Sequence, residues 1–491
     1  MKYLLLFLLF PLFTGQAFAQ NPIKEKLYAA SLSDTVEYTV YLPADWEGWD
    51  YNTKHPAIYA INYGMMNGDY LAAQISYFRK ARYAMPNSVI VVINASMERM
   101  GYSYDTGLLS KEGLHFVDFM KKELIPVVEK KYNTSAFRTY IGHSFASSFG
   151  NYIFLNEPGM FNGYILLAPE KIGVEHPPFH LSANAKAYYN HAFTFYYTAV
   201  GENDLPRRRD YAKEIKKEVA QLDTTKFFFR YDSLARTNHT NILTMAIEFA
   251  AEHVYQFYTP YSGKDEKDVV KDLQAVTGRI KEMYGIEPEK NFTFYSPFAH
   301  EAVTNKDSAG LVSVLTYFNS NRLKGWNLMQ FGSFCLQLKL KDKARNYFEQ
   351  AIEKITREEM EQNIGPGNLM ACYNYLAFNV YDNEPEKGWA YLQQALALAK
   401  TNNKYVPKDG EAYYNLGKFS AINNYKVREG LQYLQTYLLN EAGTANDMAN
   451  YYTAKNYMLL KQPQKAKPYL QKALKENGNN KEAAELLKQL D

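Results

Sequence analysis

The chain is short of several things that would each have named a function class. Only two cysteines, Cys335 and Cys372, occur in 491 residues. Two thiols make no disulfide framework, and both sit in helical patterns where a buried free thiol is the expected state. Net charge is also scarce: 55 Lys and Arg against 52 Asp and Glu leave +3. A balance that close to zero excludes the electrostatic footprint of a nucleic-acid binder. Long apolar runs are absent past the first residues, so no membrane span is expected. A metal set is missing too, because His176 and His180 are separated by two prolines and, with His191, have no nearby cysteine or carboxylate pair. These histidines are read as lining a loop, and neither metal nor cofactor is expected.

What is present begins with a leader. Met1-Lys2-Tyr3 precedes an apolar core of about ten residues and an Ala17-Phe18-Ala19 cleavage pattern, which predicts a secretory signal peptide over 1–19 and an exported mature chain. No cysteine follows the site to take a lipid. Hydrophobic residues make up 47% of the chain, ample for the cores of two or three domains.

From Thr35 to about Pro260 the pattern alternates between strand and helix. Thr35 to Leu42 reads as a half-buried strand. Pro56 to Ile61, Ser88 to Ile93, Thr139 to Ile141, Gly163 to Leu167, Phe193 to Val200 and Phe227 to Tyr231 are short apolar runs of the kind covered on both faces. Helical stretches fall at Tyr70 to Tyr83, Gly113 to Tyr132, Phe145 to Asn156, Arg207 to Leu222 and Asn241 to Tyr258. Such alternation predicts a mostly parallel sheet between helices, with ligands beyond the carboxyl ends of the strands.

That rule collects the polar residues. Gly142-His143-Ser144-Phe145-Ala146 places a serine at a strand-to-helix corner, the G-x-S-x-small pattern of a nucleophile elbow. The strand ending at Val200 opens into Gly201-Glu202-Asn203-Asp204, and the strand ending at Tyr231 into Thr237-Asn238-His239-Thr240. Taken singly, Asp204 is also a turn residue before Pro206, and Asn238 or Thr240 a helix cap. Taken together they give serine, acid and histidine in the order of an α/β-hydrolase, since a serine hydroxyl needs an imidazole to take its proton and the imidazole a carboxylate to orient it. Arg207-Arg208-Arg209 reads either as a receiver of an anionic substrate group or as the solvated first turn of a helix.

The segment from Gly113 to Glu170, with its E-L-I-P and G-H-S motifs, together with Pro56 to Asp69 and the GENDLP and TNHT loops, resembles the putative esterase family of α/β-hydrolases. That family includes esterase D, enterochelin and related siderophore esterases, and feruloyl and acetylxylan esterases. The resemblance runs from Leu27 to Pro260. It implies Ser144 as nucleophile, His239 as general base and Asp204 as acid, with Glu202 as the weaker alternative. It further implies an oxyanion hole from the backbone amides of Phe145 and Met65, and a small-molecule ester as substrate. Ala146 and Ser147 stand where the family has two glycines, and Ala168-Pro169-Glu170 where it has serine-proline-serine.

Past Pro260 the pattern becomes helical. Ser262 to Lys267 reads as a polar linker. Small residues at Gly332, Ala344 and Ala351, and again at Ala454, Ala466 and Ala473, carry the spacing of tetratricopeptide repeats, with weaker copies around Leu376 to Ala395 and Leu416 to Leu434. The expected organisation is a signal peptide at 1–19, an α/β-hydrolase domain at 20–262, a helical connector at 263–324, and an all-α tetratricopeptide-like domain at 325–491 closed by a capping helix. The repeats are the expected seat of a protein partner.

Overall fold

The computed structural model describes residues 22–43, 54–82, 85–103, 105–173, 175–260, 268–318, 323–362, 364–401, 410–439 and 446–490. The leader at 1–19 and the Ser262 to Lys267 linker lie outside them. Contacts divide the chain into two compact units, one formed by Met1–Lys264 with Asp272–Glu289, the other by Asp265–Lys271 with Lys290–Asp491.

The first unit is built on one eight-stranded sheet in the order β1-β2-β4-β3-β5-β6-β7-β8. Its strands are β1 (Pro22–Ala29), β2 (Asp34–Tyr41), β3 (His55–Ile61), β4 (Val89–Ile93), β5 (Thr134–His143), β6 (Gly163–Leu167), β7 (Thr194–Gly201) and β8 (Phe227–Leu234). β1 and β2 run antiparallel, and β2 pairs antiparallel with β4. The rest of the sheet is parallel, as the continuous apolar runs require. Every residue of β3, β4, β6 and β7 is buried. The sequence reading misses β1, whose Lys24, Glu25 and Lys26 mark an edge strand rather than a core one. It also shortens β5, because Thr134 to Arg138 interrupt the apolar run.

Helices connect the strands: α1 (Gly68–Arg82), α2 (Met97–Met100), α3 (Lys111–Asp118) continuing through a π-helical stretch at Phe119–Leu124 into α4 (Ile125–Tyr132), α5 (Phe145–Asn156), α6 (Ala183–Tyr189), α7 (Pro206–Val219) and α8 (Ile242–Val254). α9 (Val269–Tyr284) adds Tyr284 to the same core, where its ring meets Phe137 edge-on at 4.9 Å and stacks on Phe195 at 5.8 Å.

Aromatics rather than aliphatics fill the layer under α5. Phe154 is fully buried, with Tyr189 stacked at 4.4 Å, Tyr196 and Tyr164 edge-on at 4.9 and 5.2 Å, and Phe227 at 5.7 Å. Removing a ring at such a site leaves a cavity that costs about 3–5 kcal/mol. Phe154→Ala should therefore lower the calorimetric transition of this unit by about 10 °C.

The second unit is helical throughout its described residues: α10 (Phe292–Thr304), α11 (Ser308–Leu315), α12 (Gly325–Gln337), α13 (Lys341–Glu358), α14 (Gly365–Tyr375) with a π-helical end at Leu376–Val380, α15 (Pro385–Thr401), α16 (Gly410–Asn423), α17 (Val427–Leu439), α18 (Asp447–Leu459), α19 (Pro463–Glu476) and α20 (Lys481–Lys488). Successive helices pack as pairs, α12 on α13, α16 on α17 and α18 on α19. The small residues flagged in the sequence lie in those contacts. A Cβ on Gly332 would come within 2.7 Å of the Phe348 ring, and one on Gly417 would overlap Leu434.

Candidate active site

β5 ends at His143, and the chain turns through Ser144 straight into α5. Ser144 adopts φ 59° and ψ −123°, a strained conformation for a residue with a Cβ. The close approach that makes this corner possible falls on Gly142: a Cβ there would lie 2.5 Å from the Ala146 carbonyl oxygen. Tyr140 secures the same carbonyl with a 2.7 Å hydrogen bond, and the Ser144 amide donates to Leu167 at the end of β6. Ala146 is fully buried in this turn, so its methyl is accommodated where the resemblance led to a glycine.

The structure brings the three sequence-assigned side chains together. His239 Nε2 lies 3.0 Å from Ser144 Oγ. Its Nδ1 lies 3.2 Å from Asp204 Oδ2. Asp204 comes from the loop after β7, His239 from the loop after β8, and the two loops are tied together by the Asn203 amide donating to the Thr237 carbonyl at 2.9 Å. Gly201 allows that approach, since a Cβ on it would collide with the backbone of Thr237. Asn238 caps the turn that carries His239, its side-chain oxygen accepting from the amides of Thr240 and Asn241.

Glu202 is exposed and accepts from the Arg236 amide at 3.2 Å. Asp204 is instead buried. Burial alone would raise its pKa. Hydrogen bonds from Arg208 and the Leu205 amide, with the positive charge of Arg208, outweigh it and hold the carboxyl below its ordinary value.

Phe145 opens α5, where a first-turn amide has no intrahelical acceptor. Its ring is wedged between Tyr63 and Tyr102. Met65 lies in the turn after β3 that is closed by the Met66 amide donating to Tyr63. Gly64 takes a left-handed φ of 63° there, and a Cβ on it would stand 4.0 Å from His143 Nδ1, so this turn runs beside the elbow.

Two features escape a reading by sequence. The first is His143, 1% exposed, whose ring lies 4.6 Å from that of His239 and whose Nε2 donates to the His239 carbonyl at 2.8 Å. A carbonyl only accepts, so Nε2 carries a proton. Burial, then the nearby His239, push its pKa down to about 4. The unfolded chain therefore binds a proton that the folded chain refuses between about pH 6.5 and 4, and stability falls as pH drops through that window, by about 3 kcal/mol in full. His143→Gln keeps a donor and should flatten the pH dependence of the unfolding free energy between pH 6.5 and 4, measured in urea.

The second is what the arginine run binds, since the sequence marks the run without showing its partners. The run does open a helix, as the first turn of α7, and Arg207 is exposed there, yet Arg208 is buried and all three guanidinium groups are engaged within the protein. Arg207 and Arg208 bind Glu170, Arg208 also binds Asp204, and Arg209 donates to the Glu202 and Asp204 carbonyls. The flagged histidines are also scattered: His176 bonds the Ile172 backbone, His180 pairs with Glu218, and His191 bonds Ala187. Among the described residues no group of three metal-ligating side chains is found.

Comparison with known proteins adds a family model described as Putative esterase, which matches residues 29–227. The matched segment holds Ser144 and Asp204 and stops short of His239. It supports a hydrolase. An uncharacterised protein from Capnocytophaga ochracea shares the fold with a TM-score of 0.50 at 15% identity, over 68% of this chain and 94% of its own. An IroE-like serine hydrolase from Shewanella oneidensis gives 0.47 at 15% identity over 60% of this chain and 98% of its own. The siderophore hydrolase EstA from Aspergillus nidulans gives 0.41 at 14% identity over 48% and 95%. A search of curated proteins finds no match.

Proposed function

We propose that the chain is a serine carboxylic-ester hydrolase working through an acyl-enzyme. The observation that carries this reading is the single imidazole, His239, within hydrogen-bonding distance of both Ser144 Oγ and the buried Asp204 carboxylate. The Ser144 hydroxyl donates to Nε2, so Nδ1 carries the proton given to Asp204, the tautomer a general base needs. Ser144 attacks the ester carbonyl as its proton passes to His239. The Phe145 amide, with the Met65 amide as second donor, holds the oxyanion. His239 then returns the proton to the leaving alcohol, and water, activated by the same imidazole, frees the acid and restores Ser144.

The substrate range follows from the sequence resemblance and comprises siderophore or carbohydrate-linked esters. The leader sequence supports an exported, periplasmic or secreted setting, and no described helix is long and apolar enough to cross a membrane. A fluorophosphonate probe tests the reading, because only an activated serine reacts with it. Labelling of the wild-type chain and none of Ser144→Ala is the expected result.

A second reading, an interaction protein in which helical repeats bind a protein partner and the sheet unit is a platform, has its own observation. The helical unit carries a cavity of about 560 Å³ lined by Asn374, Phe378, Asn379, Glu411, Asn415 and Lys418. A chain that ignores the probe and captures a partner through that face would favour it.

A further inference from the structure

The buried arginine at the back of the site has no part in the mechanism above, and its surroundings are unusual. Arg208 sits in the first turn of α7, where a helix dipole disfavours a cation, and is only 7% exposed. Desolvating a guanidinium is costly unless its donors are matched by acceptors. Here two carboxylates match its two terminal nitrogens, while Nε is buried with no hydrogen-bond partner: Nη1 donates to Asp204 Oδ1 at 2.7 Å, and Nη2 to Glu170 Oε1 at 3.0 Å. Glu170 is fixed in turn. Its amide donates to Ser148 Oγ at 3.0 Å, the Ser148 hydroxyl donates to the Glu170 carbonyl at 2.7 Å, and the exposed Arg207 holds its second carboxylate oxygen at 3.0 Å.

Ser148 lies on α5, one turn past Ser144. The bonds therefore close a ring: Ser144 to His239, His239 to Asp204, Asp204 to Arg208, Arg208 to Glu170, and Glu170 back to the helix that Ser144 caps. Within the ring, Arg208 and the Leu205 amide occupy Asp204 Oδ1. That leaves Oδ2 turned to His239.

Resting on the reading of Ser144 as nucleophile, we infer that Arg208 is a positioning residue of the triad, held by Glu170, and that this pair sets the pH at which His239 becomes a base. The charged and titratable groups around the imidazole are His143 from β5, Asp204 from the loop after β7, Arg208 from α7 behind Asp204, Arg209 from α7 on the Asp204 carbonyl, Glu170 from the loop after β6 behind Arg208, and Arg207 from α7 on the second carboxylate oxygen of Glu170. A cation behind the acid weakens its hold on a protonated imidazole. A carboxylate behind that cation restores part of it.

The two outer groups therefore act on His239 with opposite signs. Removing the cation with Arg208→Met favours protonated imidazole and moves the His239 titration to higher pH, by about one unit. Removing the anion with Glu170→Gln leaves Arg208 uncompensated and moves it lower. Arg208→Lys keeps the charge and stays near wild type. The titration is read by NMR on the full chain labelled at histidine Cε1, with His239→Gln to assign the resonance, and needs no turnover.

Opposite shifts support the inference; shifts of one sign, or none in Glu170→Gln, overturn it. Glu170→Gln keeps the test open should Arg208→Met fail to fold. Hydrolysis of p-nitrophenyl butyrate by the same samples should follow, with the acid limb of kcat/KM displaced in the same directions and kcat of Arg208→Met reduced about tenfold or more at nearly constant KM. Opposite titration shifts in a chain that neither turns over the ester nor takes a fluorophosphonate would uphold the positioning and sink the esterase reading.

Discussion

Ser144→Ala is expected to lower kcat on p-nitrophenyl butyrate by roughly three to six orders of magnitude, with KM changed far less. The size follows from the division of labour in the site. In the proposed mechanism the hydroxyl supplies the nucleophile, and His239, 3.0 Å away, supplies its activation. Without the hydroxyl the imidazole has nothing to deprotonate but water, and only the amide donors and substrate binding remain to lower the barrier. His239→Ala should fall to a similar floor, and the double variant no further, because the two residues act as one unit. Additive losses in the double variant would show that they act separately. Both variants should keep the thermal stability of the wild type to within a few degrees, since Ser144 and His239 are partly exposed and anchor little of the core.

Gly201→Ala carries the second large expectation, an activity loss of about a hundredfold from a residue that touches no substrate. A Cβ at this position would overlap the Thr237 carbonyl, and the obstacle is backbone, which has no rotamer to move into. To make room, the turn carrying His239 must back away from the loop carrying Asp204, breaking the 2.9 Å bond from the Asn203 amide that joins them. A displacement near 1 Å in a base suffices for a loss of that order. The readout is kcat beside the rate of fluorophosphonate labelling. Labelling should slow with turnover, because both depend on Ser144 being deprotonated by a correctly placed imidazole. Unchanged labelling would show that the loops tolerate the methyl.

Particular residues show why some of this was legible in the sequence and some was not. β3, β4, β6 and β7 are buried on both faces, so their sequences are unbroken apolar runs and announce themselves. Ser144, Asp204 and His239 are readable because a parallel sheet sends the ends of its strands to one edge, and each residue follows a strand. β1 hides because an edge strand with three successive charges resembles a loop. Arg208 and Glu170 hide for a different reason. Three consecutive arginines look solvated, and only the fold carries Glu170, 38 residues earlier, across to bury one of them. His143 is concealed by its position next to Ser144, where the motif draws attention to the serine. Its burial against His239 depends on a loop that arrives 96 residues later.

The two cysteines acquire a use from where they lie. Both are fully buried in the helical unit, Cys335 on α12 and Cys372 on α14, and burial pushes their thiols up to about 11 and about 12. In the native chain neither presents a thiolate to solvent at neutral pH. Among the described residues the sheet unit has no cysteine at all. Thiol modification of this protein is therefore governed by how often the helical unit opens, and an oxidising compartment leaves the thiols of the closed native chain untouched while recording each excursion of that unit alone.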